Sequence, residues 1–98
     1  TIALKSDNAK AYNNLGVTIQ ELGRLKEAKA NYTKALALDP DFVEAYNNLG
    51  NVLNDLGRVA DAEENYIKAI ALDPNFFKTY NNLGIVLQEL GKLDEAKV

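Results

Sequence analysis

An all-α fold, a solenoid of antiparallel helix pairs, is predicted for this 98-residue chain by three features of its sequence. The first is a repeat. Ala11-Tyr-Asn-Asn-Leu-Gly16 returns as Ala45-Tyr-Asn-Asn-Leu-Gly50 and again as Thr79-Tyr-Asn-Asn-Leu-Gly84, so Tyr12, Tyr46 and Tyr80 stand 34 residues apart. The second is punctuation in register with that repeat. Leu22-Gly23-Arg24 returns as Leu56-Gly57-Arg58 and as Leu90-Gly91-Lys92, and Leu38-Asp39-Pro40 returns as Leu72-Asp73-Pro74. The third is the three-four spacing of apolar residues between these marks, which is a helical stripe. A fixed period with Gly mid-unit and Pro near its end builds helix–turn–helix units that bury their apolar faces only by stacking.

Taken in order, Thr1–Ser6 aligns with Ala69–Pro74, so residues 1–8 are expected to be the end of a preceding repeat. Residues 9–42 and 43–76 make two repeats, and 77–98 a partial one. The first helix is expected over Ala9–Leu22, turning Tyr12, Leu15, Gly16, Ile19 and Leu22 inward. Gly23 supplies the left-handed residue that closes a helix, and Gly57 and Gly91 are expected to repeat the stop. The second helix, Leu25–Leu38, points Leu25, Ala28, Tyr32, Ala35, Leu36 and Leu38 at the core. It ends at Asp39, because the residue before proline is pushed out of the helical region. Asp7, Asp41 and Asn75 occupy one column as expected caps. Further helices follow at Val43–Leu56, Val59–Leu72 and Phe77–Leu90, and Lys92–Val98 is expected to begin one more. The chain is four residues short of three periods and has no polar capping repeats, so it reads as a piece of a longer array.

Composition narrows the function classes. Apolar residues make up 47%, and no apolar run approaches the ~20 residues of a membrane span. Neither a secretory signal nor a targeting segment is visible. With no cysteine and no histidine, disulfides, thiolate chemistry and the commonest metal ligand are absent from the sequence. A net charge of −3 argues against nucleic acid, whose phosphates demand a basic face. Ser6 is the only serine and has no histidine to activate it, so no catalytic constellation forms and no cofactor or metal is expected.

The columns resemble the tetratricopeptide repeat: aromatic-x-x-Leu-Gly at Tyr46, Leu49 and Gly50, then Ala62, Tyr66, Ala69 and Pro74. The Tyr-Asn-Asn-Leu-Gly wording is similar to repeats of O-linked N-acetylglucosamine transferases and of bacterial multi-repeat proteins. The resemblance implies a right-handed superhelix whose first helices line a concave groove. Gly16, Gly50 and Gly84 would mark where paired helices cross most closely, with Ala28, Ala62 and Ala96 small for the same reason. Tyr32 and Tyr66 would fill the gap between one repeat and the next. Phe42, Phe76 and Phe77 would seal the junctions.

Carried onto this chain, the groove takes Lys10, Asn13, Asn14, Val17, Gln20 and Glu21 from the first repeat. The second gives Glu44, Asn47, Asn48, Asn51, Asn54 and Asp55, and the third Lys78, Asn81, Asn82, Ile85, Gln88 and Glu89. Asparagine is a mediocre helix former, yet each amide offers an acceptor and two donors. A row of them (Asn14, Asn48, Asn82, backed by Asn13, Asn47 and Asn81) could hold the main chain of an extended peptide. The alternative is that duplicated repeats carry duplicated asparagines, as Asn31 and Asn65 do elsewhere. Some family members grip a peptide carboxylate with two Lys, two Asn and one Arg. The matching columns here hold Asn13, Val17, Asn48, Lys78 and Asn82, of which only Asn48 and Lys78 fit. Two lysines face four carboxylates in the groove, so a neutral or mildly basic protein segment is the expected partner, with no nucleic acid and no membrane. The functions this leaves are a protein-interaction scaffold, the substrate-recognition part of a larger modifying enzyme such as a glycosyltransferase, or a module that stacks head to tail.

Overall fold

The computed structural model describes residues 2–96, with side chains described over 7–92. Five helices follow one another: α1 (Ile2–Glu21), α2 (Leu25–Leu38), α3 (Val43–Asp55), α4 (Val59–Leu72) and α5 (Phe77–Ala96). Each packs on the next in the chain, and α1, α3 and α5 also touch in series, giving an elongated body of about 52 × 29 × 18 Å. No strand occurs among the described residues. This is the expected solenoid of helix pairs.

The turns inside the pairs come from local chemistry. Gly23 and Gly57 sit at φ of +81° and +82°, where a side chain would be strained. Each closes its helix the same way. Gly23 N–H donates to Gln20 C=O and Arg24 N–H to Ile19 C=O; Gly57 N–H donates to Asn54 C=O and Arg58 N–H to Leu53 C=O. These are Schellman pairs, which satisfy carbonyls a helix end would otherwise leave bare. Between pairs, the Asp39 and Asp73 carboxylates accept from the backbone N–H of Asp41 and Asn75, at 3.1 and 3.0 Å. Those aspartates therefore fold the Asp-Pro turns.

The core is small residues set against tyrosine. Ala28, Tyr32, Leu49, Val52, Leu53, Ala62, Tyr66 and Val86 form one buried cluster, and Ala9, Ala35 and Ala45 a second, closed by Tyr12, Leu36, Leu38 and Phe42. A Cβ at Gly16 would lie 2.6 Å from Tyr32 Cε1, and one at Gly50 2.5 Å from Tyr66 Cε1. Glycine is thus required by the ring opposite.

Several expectations are corrected here. Residues 2–21 form one continuous helix, with no break at Ser6 and no cap at Asp7: without proline, nothing bars Lys5 from helical geometry. Gly91 does not stop α5, which runs through it to Ala96, so this glycine keeps helical geometry where Gly23 and Gly57 turn left-handed. Asp41 is not the cap of α3, which begins after Phe42 without a side-chain cap bond. Tyr32 and Tyr66 lie inside a helix pair, over Gly16 and Gly50, and also belong to the buried cluster shared with Leu49, Val52 and Val86 of the later repeats. Gly84 faces open space, since among the described residues no tyrosine-bearing helix covers α5. Phe77 is 72% exposed and leans on Tyr80 at a centroid distance of 6.4 Å, so it seals nothing. Leu15 and Leu22, expected to face inward, are exposed.

The two glycine environments give opposite expectations for the same substitution. Gly50→Ala is expected to cost about 1–3 kcal/mol by overpacking against Tyr66. Gly84→Ala is expected to stabilise by up to about 1 kcal/mol through helix propensity alone. Urea melts of the two variants check both signs; equal effects would mean the tyrosine contact does not decide the glycine.

Candidate functional site, a concave amide-lined groove

The first helices, α1, α3 and α5, lie side by side along one face, and two depressions open between them. One, of about 390 Å³, is lined by Val17, Gln20, Glu21, Leu25, Tyr32, Asn48 and Asp55. The other, of about 300 Å³, is lined by Gln20, Asn51, Asn54, Asp55, Tyr66, Asn82 and Ile85. Gln20 and Asp55 belong to both, so α1 and α5 approach one cavity across α3.

The expected site residues fall into three groups. Val17, Asn48, Asn51, Asn54, Asn82 and Ile85 line the cavities. Lys10, Asn14, Glu44, Lys78 and Asn81 are exposed but line neither. Asn13 and Asn47 are 2% and 4% exposed, so their expected place on the open groove is corrected: they are interior residues. Their burial has a polar cause. Asn48 Nδ2 donates to Asn13 Oδ1 and Asn82 Nδ2 to Asn47 Oδ1, both at 3.1 Å, while Thr79 Oγ1 donates to the same Asn47 oxygen at 3.1 Å. A buried amide is tolerated only when bonded, and each repeat satisfies the one before it. The double asparagine is therefore two columns with different work: the first is buried and joins repeats, and the second is held by that bond in the cavity walls.

The tyrosine hydroxyls are groove parts that the sequence reading placed wholly in the core. Tyr32 Oη donates to Gln20 Oε1 at 2.7 Å, and Tyr66 Oη to Asn51 Oδ1 at 2.5 Å. Burial, with a smaller push from Glu21 and Asp55 respectively, raises both phenols to about 12. They stay protonated donors at neutral pH. A signal existed in the sequence, since each buried tyrosine has an amide residue (Gln20, Asn51) on the preceding helix to receive its hydroxyl. Next to Asn51, the Asn54 Oδ1 atom is buried without any hydrogen-bond partner. Orphaned acceptors of this kind are rare and need a reason.

Among the described residues no cluster of His, Cys, Asp or Glu could hold a metal ion, and no helix is long and apolar enough to cross a membrane.

The two interrepeat joints are not equivalent. Asn47 keeps Thr79 when Asn82 is removed, whereas Asn13 has only Asn48. Asn48→Ala is therefore expected to cost about 1–3 kcal/mol, leaving a buried acceptor bare, and Asn82→Ala less than about 1 kcal/mol. Thermal melts that rank them the other way would remove the joining role from Asn13.

A family model described as the TPR repeat matches residues 20–57 and 50–91. No curated protein sequence matches the chain. Among solved structures, the second TPR of Spaghetti (RPAP3) bound to HSP90 peptide SRMEEVD is similar, with a TM-score of 0.88 and 26% identity over 98% of this chain and 88% of that one. The first TPR of the same protein, with the same peptide, gives 0.83 and 25% over 86% and 67%. MamA gives 0.84 and 30% over 94% of this chain but 53% of its own, so the present chain spans about half of MamA's length. The repeat model covers most of the sequence and the helix pairs superpose on solved TPR folds: the chain belongs to the TPR repeat family.

Proposed function

We propose that this chain is a protein-interaction module that holds an extended polypeptide segment along the α1–α3–α5 groove by its main chain. The row of half-buried amides Asn48, Asn51, Asn54 and Asn82 in the walls of the two cavities carries the reading, because amide side chains can pair with the N–H and C=O groups of an extended main chain. Asn48 and Asn82 are held in place by their bonds to Asn13 and Asn47. Such preorganisation lowers the ordering cost that weak peptide binding must overcome. Both RPAP3 modules similar in fold are solved with a short peptide, which supports the class of partner. The chemistry of the partner differs. The cavities here hold Glu21 and Asp55 and no cation, so a neutral or mildly basic segment suits them better than an acidic one. The same groove would serve a free-standing scaffold or the substrate-recognition part of a modifying enzyme such as a glycosyltransferase; a catalytic domain elsewhere in the full gene separates the two.

A peptide array probed with the wild type and with Asn14→Ala/Asn48→Ala/Asn82→Ala tests this. The wild type is expected to bind extended neutral or basic peptides, and the variant, checked by circular dichroism, to lose about tenfold or more. Equal binding by both folded proteins would return the asparagines to mere repeat inheritance.

A second reading, head-to-tail stacking, is favoured by one stripe on α5. Phe77, Tyr80 and Leu87 are exposed by 72%, 44% and 50%, with Gly84 open between them. The same columns on α3, Val43, Tyr46, Gly50 and Leu53, are half-buried or buried. In this reading a second copy covers the stripe. Light scattering over a concentration series should show mass growth that Phe77→Ser/Leu87→Ser abolishes; a constant monomer mass at about millimolar protein would rule stacking out, since contacts weaker than that carry little free energy.

A further inference from the structure

A depression of about 610 Å³ lies away from the groove, between α2 and the turn that enters α4. Its lining is Lys26, Lys29, Ala30, Thr33 and Lys34 from α2, with Leu56 and Arg58 from the turn. Four of these seven residues are cations and none is acidic. Ala30, Leu56 and the aliphatic stems of the lysines form an apolar floor beneath charged tips. Two cations already have company: Arg58 pairs with Asp61 at 2.7 Å, and Lys34 lies over the Tyr12 ring at 5.6 Å. Lys26 and Lys29 have no carboxylate within 4 Å among the described residues, and the neighbouring Glu27 pairs instead with Arg24 at 3.8 Å. Lys29 is half-buried although unpaired.

The next repeat shows that the repeat architecture does not require these charges. Moving each lining residue on by one period of 34 gives Ala60, Glu63, Glu64, Ile67, Lys68, Leu90 and Lys92. The apolar Leu returns, but two lysines become Ala60 and Glu63, and Ala30 becomes Glu64. Four cations without an acid give way to two cations with two acids. Over the same 34 residues the groove columns keep Asn13, Asn14 and their copies unchanged. The asparagine columns return unchanged, whereas this lining goes from four cations to a balance of two cations and two acids, so this face of the first repeat is chemically distinct.

The geometry points to a second docking site here, for an acidic peptide segment carrying one apolar side chain. The apolar residue would sit on Ala30 and Leu56 while flanking carboxylates meet Lys26 and Lys29. The groove, with its own carboxylates, repels such a segment, so the two faces sort partners by charge.

Fluorescence polarisation with labelled Glu-Glu-Leu-Glu-Glu tests the site, using Glu-Glu-Ser-Glu-Glu and Lys-Lys-Leu-Lys-Lys as controls. The leucine probe is expected to bind best, and Lys26→Glu/Lys29→Glu to weaken it about tenfold or more, with folding unchanged because Lys26 is exposed and Lys29 half-buried. Asn14→Ala/Asn82→Ala in the groove should leave it unchanged. Absence of binding at millimolar protein, or binding that survives the lysine reversal, would overturn the proposal. So would a preference for phosphatidylserine vesicles over the peptide, or a lysine-dependent doubling of mass, which would make the occupant a membrane or a second copy through Asp61, Glu63 and Glu64.

Discussion

The packing of this molecule depends on one contact made twice: a tyrosine ring from the second helix of a pair lying on a glycine of the first. With a Cβ at Gly50 the ring of Tyr66 would be 2.5 Å away, so the helices can approach this closely only because that atom is missing. Glycine inside a helix costs roughly 0.8–1 kcal/mol against alanine, and the buried aromatic surface offsets it. The close approach also carries each hydroxyl through the pair to Gln20 or Asn51 on the other side. One contact thus sets both the core and the floor of the groove.

Much of the architecture was legible in the sequence because the repeat states it three times. The expected spans of α2 and α4 match the structure end to end, and α3 ends one residue early. The failures are informative because they fall on residues whose local signal was read without its context. Gly23 and Gly91 occupy the same column, yet the first closes a helix at φ +81° while the second lies inside α5. Glycine permits the left-handed turn, but the burial of a following helix is what selects it. Ser6 stands where Pro40 and Pro74 stand, and without the ring the helix runs on.

The groove was legible by column and illegible by depth. Periodicity identified the asparagines, and six of the thirteen chosen residues line the cavities. It could not say that Asn13 and Asn47 are buried, because that depends on how one repeat is rotated against the next. The partner of Asn13 is Asn48, 35 residues on and not 34. Only the structure shows that diagonal, and only it shows that Thr79 supports the second joint where Ala45 cannot support the first.

That offset of a single residue also implies, by helix geometry, a bend in the row of first helices. On α3, Asn48 reaches back to α1 and Asn47 reaches forward to α5. Adjacent helical residues point about 100° apart, so the two neighbours of α3 lie at about 100° around it and not on opposite sides. Three such helices cannot stand in a straight line. By the same reckoning Asn51 and Asp55 project at about 40° and 80° from Asn47, inside that angle, which is where the second cavity finds them. The hollow of the groove is therefore written in two neighbouring letters of the repeat, one amide for each side of the bend.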